Sequence, residues 1–222
     1  LLSLMGAANV GARTFEIPPG QNQLRATLPQ LAAGDSILLA TSGAYVEHGE
    51  LLLPEFPLTI LAPTDLDSRP VLQMEGLLVW SDLRVRSVAL DGGQTAEYAI
   101  RSVAGEPSSL IVENCEIRKI SKEAVSTAAV PLAWCEIRDL DFHDIGGHAL
   151  GFADKDMVRA LQVSNSTFHR LGAAAIAVAQ AEAPVSVRIS NVTIHDAGDG
   201  IVLDNVAQAV LWKAGLMHQN RR

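Results

Sequence analysis

Aromatic residues are scarce in this 222-residue chain, at 5%, and cysteine occurs twice. Positive charge is outnumbered, 17 Lys and Arg against 25 Asp and Glu. Few aromatics but 48% hydrophobic residues point to a narrow core of stacked aliphatic side chains. The net charge of −8 excludes the basic stripe that a nucleic-acid backbone demands. It also disfavours simple electrostatic capture of an acidic polysaccharide, unless a local basic cleft overrides the net sign. Two cysteines, Cys115 and Cys135, make neither a zinc cluster nor a disulfide framework and read as buried thiols packing like small hydrophobes. There is no phosphate-binding glycine loop and no serine-nucleophile elbow. No apolar run is long enough to cross a membrane.

What the chain does have is a repeat. Between Leu110 and Leu203 a pattern of strand-like alternation around an Asn or Asp returns four times. The apolar residue before each charged or imidazole position is Ile117, Phe142, Phe168 and Ile194, at intervals of 25, 26 and 26 residues. A period in that range signals a solenoid. Asn114, Asp139, Asn165 and Asn191 read as one repeated corner, because Asn tolerates the left-handed backbone of a tight bend. A polar turn and a second apolar run follow in each period, beginning at Ala124, Ala149, Ala175 and Ile201. Short strands with no helix-length pattern between them give an all-β, right-handed parallel β-helix in which each coil covers its neighbour.

Three stretches divide the chain. Residues 1–12 read either as the back half of a secretory signal, with small residues near Gly11 and Ala12, or as an ordinary apolar first strand. Residues 13–68 form an N-terminal cap and the first coils. A short helix between Gln21 and Ala33, with Leu24, Leu28 and Leu31 on one face and Pro29 as a blemish, covers the open end. Residues 69–222 are further coils, with Leu90 level with Ile117. The last coil is degraded, with Ala214 at the corner position, and is expected either to continue or to be covered by another chain.

The opening of the repeat region carries a resemblance. A helix with spaced leucines, then Ala33 to Leu39, Gly43-Ala44-Tyr45 and Leu58 to Pro63, resembles the chondroitinase-B and alginate-lyase-like group of the pectin-lyase-like β-helix superfamily. The resemblance implies a polysaccharide lyase, with Lys and Arg as base and charge neutraliser and calcium held by acidic and amide side chains. No motif of that group fixes these roles on particular residues here.

Candidate chemistry lies along the coils. His143, His169, His195 and His218 form an outward column with Arg118 before it, about 5 Å apart if stacked on neighbouring coils. One place on, Lys119, Asp144, Arg170 and Asp196 alternate in sign, as a ladder of exposed ion pairs or a charged rim for an acidic sugar. The turns add Lys122, Glu123 and His148. The expected catalytic residues are Lys122, Arg170 and His148. Lys119, Asp144, His143 and His169 are the expected substrate contacts, and Glu123 and Asp144 the expected calcium ligands.

Inward Val125, Leu150, Ile176 and Val202 would leave an outer face of Ala124, Ser126, Ala149, Gly151, Ala175, Ala177, Ile201 and Leu203. That face is almost bare of working residues, and a further segment or a second subunit is expected to cover it. Two functions follow. One is an exported polysaccharide-active protein, a lyase on a uronate-containing glycan, placed in the secreted, periplasmic or cell-surface space. The other is a non-catalytic module binding glycan or protein through its apolar sheet.

Overall fold

A computed structural model describes residues 11–103, 108–128, 132–152, 158–178 and 185–204, together with the backbone of 208–218. Residues 1–10, and with them most of the signal-or-strand stretch, lie outside the described residues. The chain is a right-handed parallel β-helix of about seven turns with one short helix near its N-terminus.

One coil shows how the others are made. Ser109–Glu113 lies in the first face, Asn114 turns the chain, Glu116–Ile120 lies in the second face and Glu123–Thr127 in the third. Among the described residues neighbouring strands pair in parallel and, apart from a shift in the last pair, in register, so like residues stack on like. Leu90, Ile117, Phe142, Phe168 and Ile194 form one buried column, in which the Phe142 and Phe168 rings are 4.8 Å apart and nearly parallel. In two later coils the corner is smooth enough that the strands Ala160–Leu171 and Ser186–His195 run through both faces.

The corners follow from backbone sterics. Asn114, Asp139, Asn165 and Asn191 all have φ between 50° and 58°, the left-handed region that Asn and Asp enter at least cost. Asn191 Nδ2 donates to Asn165 Oδ1 at 2.9 Å, so part of the corner is also an amide ladder. A second corner was not anticipated. Lys119, Asp144, Arg170 and Asp196 also have positive φ, between 52° and 57°. This bend turns both Ile117 and Ile120 inward, with Arg118 and Lys119 left outside between them.

At the N-terminal end the helix is shorter than the leucine spacing suggests. It spans Gln23–Thr27 and continues as a 3₁₀ turn over Leu28–Gln30, which accepts Pro29 at its start where a continuous α-helix would not. Leu24 is fully buried, while Leu28 and Leu31 pack partly against the core. The buried Glu47 carboxylate accepts the N–H groups of Leu24 at 2.8 Å and Arg25 at 3.3 Å, satisfying donors that every helix start leaves free.

The third sheet corrects the expected outer face. Ile201 pairs with Ile176, not Val202, so Ile201 and Leu203 pack on the core and Val202 points out. Ala124, Ala149 and Ala175 are fully buried within the core rather than facing out. Of the expected face only Ser126, Gly151 and Ala177 stand on the outer column, and all three are buried. A one-residue slip also occurs in the last strand, Gln208–His218. Trp212 lies opposite Ser190 and Ala214 opposite Val192, so Lys213 and not Ala214 takes the place of the corner Asn191.

The turn between the second and third faces is closed by small residues. A Cβ on Gly172 would come within 1.9 Å of the Gly146 carbonyl oxygen, and one on Gly146 within 2.1 Å of the Ser121 carbonyl oxygen. Glycine is required there by coil-to-coil approach. Gly172→Ala is therefore expected to cost about 2 to 3 kcal/mol, read as a lower urea midpoint at unchanged slope, with far less effect for Gly11→Ala, which meets no neighbour.

Candidate functional site

Two polar surfaces flank the glycine turn, and they differ in how their charges are used. On the second face the histidine column forms as the repeat requires. His143, His169 and His195 stack with ring centroids 5.0 Å apart. The strand register sets His218 beside His195. Carboxylates two places earlier on the same outward face complete the column, a signal present in the sequence but missed. His143 Nε2 meets Glu116 at 3.0 Å and His169 Nε2 meets Asp141 at 3.1 Å.

The second bend adds further pairs. Asp144 is bound by Arg170 Nε at 2.6 Å and by His143 Nδ1 at 2.8 Å. Arg170 therefore holds the Asp144 carboxyl far below the usual carboxylate range, with burial opposing and His143 assisting. Lys119 does not join the alternating ladder. Its ammonium lies 3.1 Å from Asp91, which Arg118 also holds at 2.8 Å. Most charges of this surface are paired, although His169 Nδ1 is buried without a hydrogen-bond partner. Glu113 makes a comparable network on the first face. Its buried carboxylate is shared by Arg84, Arg86 and Arg138 at 3.0, 3.1 and 2.5 Å.

The other surface is a cleft of about 400 Å³ on the outside of the third sheet. Lys122, Glu123 and His148 line it together with Glu97, Tyr98, Arg101 and Ser126. Of the expected catalytic residues it thus gathers Lys122 and His148 but not Arg170, and of the expected calcium ligands Glu123 but not Asp144. Lys119, His143 and His169 do not line it either.

Tyr98 and Arg101 were missed because they precede the clean repeat, on a coil whose pattern is interrupted. The available signal was register. Arg101 pairs with Ser126, and Tyr98 with Glu123, on neighbouring strands.

Each cleft residue is positioned by the coil beneath it. The Tyr98 ring lies over Gly76, where a Cβ would meet it at 2.4 Å, and its hydroxyl is hydrogen-bonded to Glu50. Burial and the Glu50 carboxylate push the phenol up to about 12, so it keeps its proton. The Arg101 guanidinium sits 5.2 Å from the centre of that ring, and its Nε is buried without a hydrogen-bond partner. The Glu123 carboxylate lies over Gly151, where a Cβ would come within 2.5 Å of its carbon. His148 Nδ1 accepts the Ala174 N–H at 3.1 Å, so the neutral ring carries its proton on Nε2 and presents it as a donor. Lys122 is ion-paired with Glu97 at 2.7 Å, both well exposed.

Among the described residues the acidic side chains named for calcium do not come together. Calcium takes six to eight oxygen ligands. Both Asp144 oxygens are engaged by Arg170 and His143, and Glu97 is engaged by Lys122. Among the described residues no three His, Cys, Asp or Glu side chains gather to hold a metal. No helix among them is long and apolar enough to cross a membrane.

Neither a protein-family model nor a curated protein sequence matches the chain. Its structure is similar to that of the PL6 family alginate lyase AlyGC, with a TM-score of 0.62 at 14% identity, and to a point mutant of the same enzyme, with 0.63 at 14%. The likeness covers 98% of this chain and 42% of the lyase, so the chain spans about two-fifths of the length of the enzyme it matches. At that identity the likeness is one of fold, and it agrees with the right-handed parallel β-helix read from the repeat.

The histidine column makes a pH dependence. Burial lowers the His169 pKa from its ordinary 6.5, with Asp141 opposing and Arg170, His143 and His195 reinforcing. The unfolded chain then binds the proton more readily, so stability is full above about pH 7 and falls as pH drops through 6.5 toward the folded value. A second, steeper loss follows near pH 4 and below, where Asp35, held at about 2 chiefly by Arg13, and Asp144 must be protonated. Urea unfolding between pH 5 and 8 checks the first loss: His169→Gln is expected to flatten that slope and leave the acid limb intact.

Proposed function

We propose that the cleft on the third sheet binds a uronate-containing glycan and that the chain is the β-eliminating part of an exported polysaccharide lyase. The observation that carries this reading is Arg101, a guanidinium that rests on the Tyr98 ring and makes no ion pair among the described residues, set beside Lys122 and His148 in one cleft. Among the described residues Arg118, Lys119, Lys122 and Arg170 are each ion-paired with a carboxylate, whereas Arg101 makes no such pair. A planar fork of N–H groups suits a sugar carboxylate, and pairing with it favours negative charge developing there in the transition state. The fold of an alginate lyase supports the reading without assigning the residues. Export belongs to the proposal, because a polymer of this kind is met outside the cell.

The chemistry is an elimination across C4 and C5 of the uronate. Arg101 pairs with the carboxylate and stabilises the enolate-like charge that forms as the C5 proton leaves. Lys122, released from Glu97 and deprotonated, takes that proton on Nζ. The C5–H electron pair becomes the C4=C5 double bond, the C4–O4 bond breaks, and the same proton passes from Lys122 to O4. His148 donates a hydrogen bond from Nε2 and so orients the sugar, while its Nδ1 stays committed to the backbone. Tyr98 serves as the platform under Arg101. No step passes through calcium.

A binding module without catalysis is the second reading, and the Lys122–Glu97 ion pair favours it, since an engaged ammonium takes no proton. The binding surface in that case is the cleft itself, since of the expected apolar face only Ser126, Gly151 and Ala177 stand outward and all three are buried.

The natural full-length protein is to be incubated with alginate, pectate, chondroitin sulfate and dermatan sulfate, with calcium or with chelator, and the absorbance of unsaturated uronate ends followed. A rise on one polymer is expected, lost by at least a hundredfold in kcat/KM in Lys122→Ala and in Arg101→Ala, while Arg170→Ala loses stability before activity. A flat trace on all four polymers with retained glycan binding sinks the lyase reading and leaves the binding module.

A further inference from the structure

We propose that Trp80, with Leu52, forms a sugar-ring subsite one coil before the cleft, holding the residue of the glycan next to the uronate that Arg101 binds. The inference rests on the uronate reading of the cleft and extends it along the solenoid axis. Leu52, Leu78, Arg101, Ser126 and Gly151 pair in succession along the outer column of the third sheet. Leu51, Leu77 and Val79 are buried inward, so alternation turns Leu52 and Leu78 outward, and Trp80, the residue just past the strand Gly76–Val79, is exposed. Leu78 lies directly beside Arg101, and Trp80 is two places further along the same strand direction. One coil and two residues separate the Trp80 and Arg101 backbones by about 8 Å, within reach of neighbouring sugars on one chain.

Exposure singles out this end of the cleft. Among the described residues Leu52 at 53%, Trp80 at 38% and Val202 at 41% are the exposed large apolar side chains, and two of the three lie here. Scattered singly they would need no explanation. Next to a polar cleft they supply what that cleft lacks, a flat apolar surface for the C–H face of a pyranose, whose hydroxyls stay in water. Two side chains fall far short of the ~800 Å² per partner of a stable protein interface, which makes a sugar ring the better occupant.

Oligouronates of two, four and six residues, in mannuronate and guluronate series, are to be titrated calorimetrically into wild type, Trp80→Ala, Trp80→Phe and Arg101→Ala. In wild type the hexamer is expected to bind at least tenfold tighter than the dimer. Trp80→Ala should cut that gain to threefold or less, Trp80→Phe should restore most of it, and Arg101→Ala should weaken every length. The part of the tryptophan emission that responds to hexamer in wild type should vanish in Trp80→Ala. A full length-dependent gain in Trp80→Ala, with Arg101→Ala still impaired, overturns the subsite alone. No binding of any oligomer by wild type, or undiminished binding by Arg101→Ala, overturns the uronate reading and the subsite with it.

Discussion

Backbone hydrogen bonding between successive coils is the constraint on which the rest of this molecule depends. A strand of one coil satisfies its donors and acceptors only on the coils before and after it, so each coil must return to the same place after every period. Returning in register demands sharp bends at fixed positions, and the chain supplies them with left-handed residues at two places per coil. One bend uses Asn or Asp, whose backbone permits it cheaply. The other uses Lys119, Asp144, Arg170 and Asp196, two of which are long cations in a conformation that L-residues seldom adopt. The stacking that this bend makes available, with two inward Ile or Phe positions on either side of it, offsets the local strain. The glycine turn belongs to the same logic, since Gly146 and Gly172 let carbonyls of adjacent coils approach where no Cβ would fit.

Register also decides what the surface does. Stacking identical positions at about 5 Å would bring like charges together, and the second face avoids this by interleaving. Imidazoles alternate with carboxylates, and each ion has a partner on its own coil or the next. Such pairs are modest contributors where exposed, but together they consume the charges of that face. The candidate site is a place where a guanidinium is left without a carboxylate among the described residues. On the third sheet Arg101 keeps a buried donor without an acceptor, beside a lysine and a histidine whose donor points outward.

The structural likeness to an alginate lyase and the geometry of the cleft are independent supports of unequal reach. A fold shared at 14% identity says how the coils are wound and is silent about which side chains work. The cleft names side chains and constrains their roles through protonation. A phenol held to about 12 cannot act as a base near neutrality. An imidazole whose Nδ1 is committed to a backbone N–H cannot take a second proton without losing that bond. Under the proposed lyase reading, these exclusions leave Lys122 as the proton acceptor and Arg101 as the carboxylate partner.

Architecture was legible in the sequence because its signals are local and repeated. The inward column from Leu90 to Ile194, the Asn corner and the histidine column all lie at fixed offsets within one period, and a fixed offset in a parallel stack is a neighbour in space. The cap was legible from its leucines, although its length was not, since Pro29 makes the last turn 3₁₀. Legibility ended where the offset changed. Val202 and Ala214 were given the places that Ile201 and Lys213 hold, and a one-residue slip exchanges inside for outside. It also ended where the partner lies in another coil at no regular spacing. Asp91 beside Lys119 and Arg101 beside Lys122 are brought together by stacking alone, whereas the carboxylates beside His143 and His169 stood at a regular offset and were overlooked. The sequence by itself therefore determined the winding of the chain, because backbone sterics and side-chain alternation act within a few residues. Only the tertiary structure decided which charges are spent and which remain for a ligand, because that depends on distances between coils.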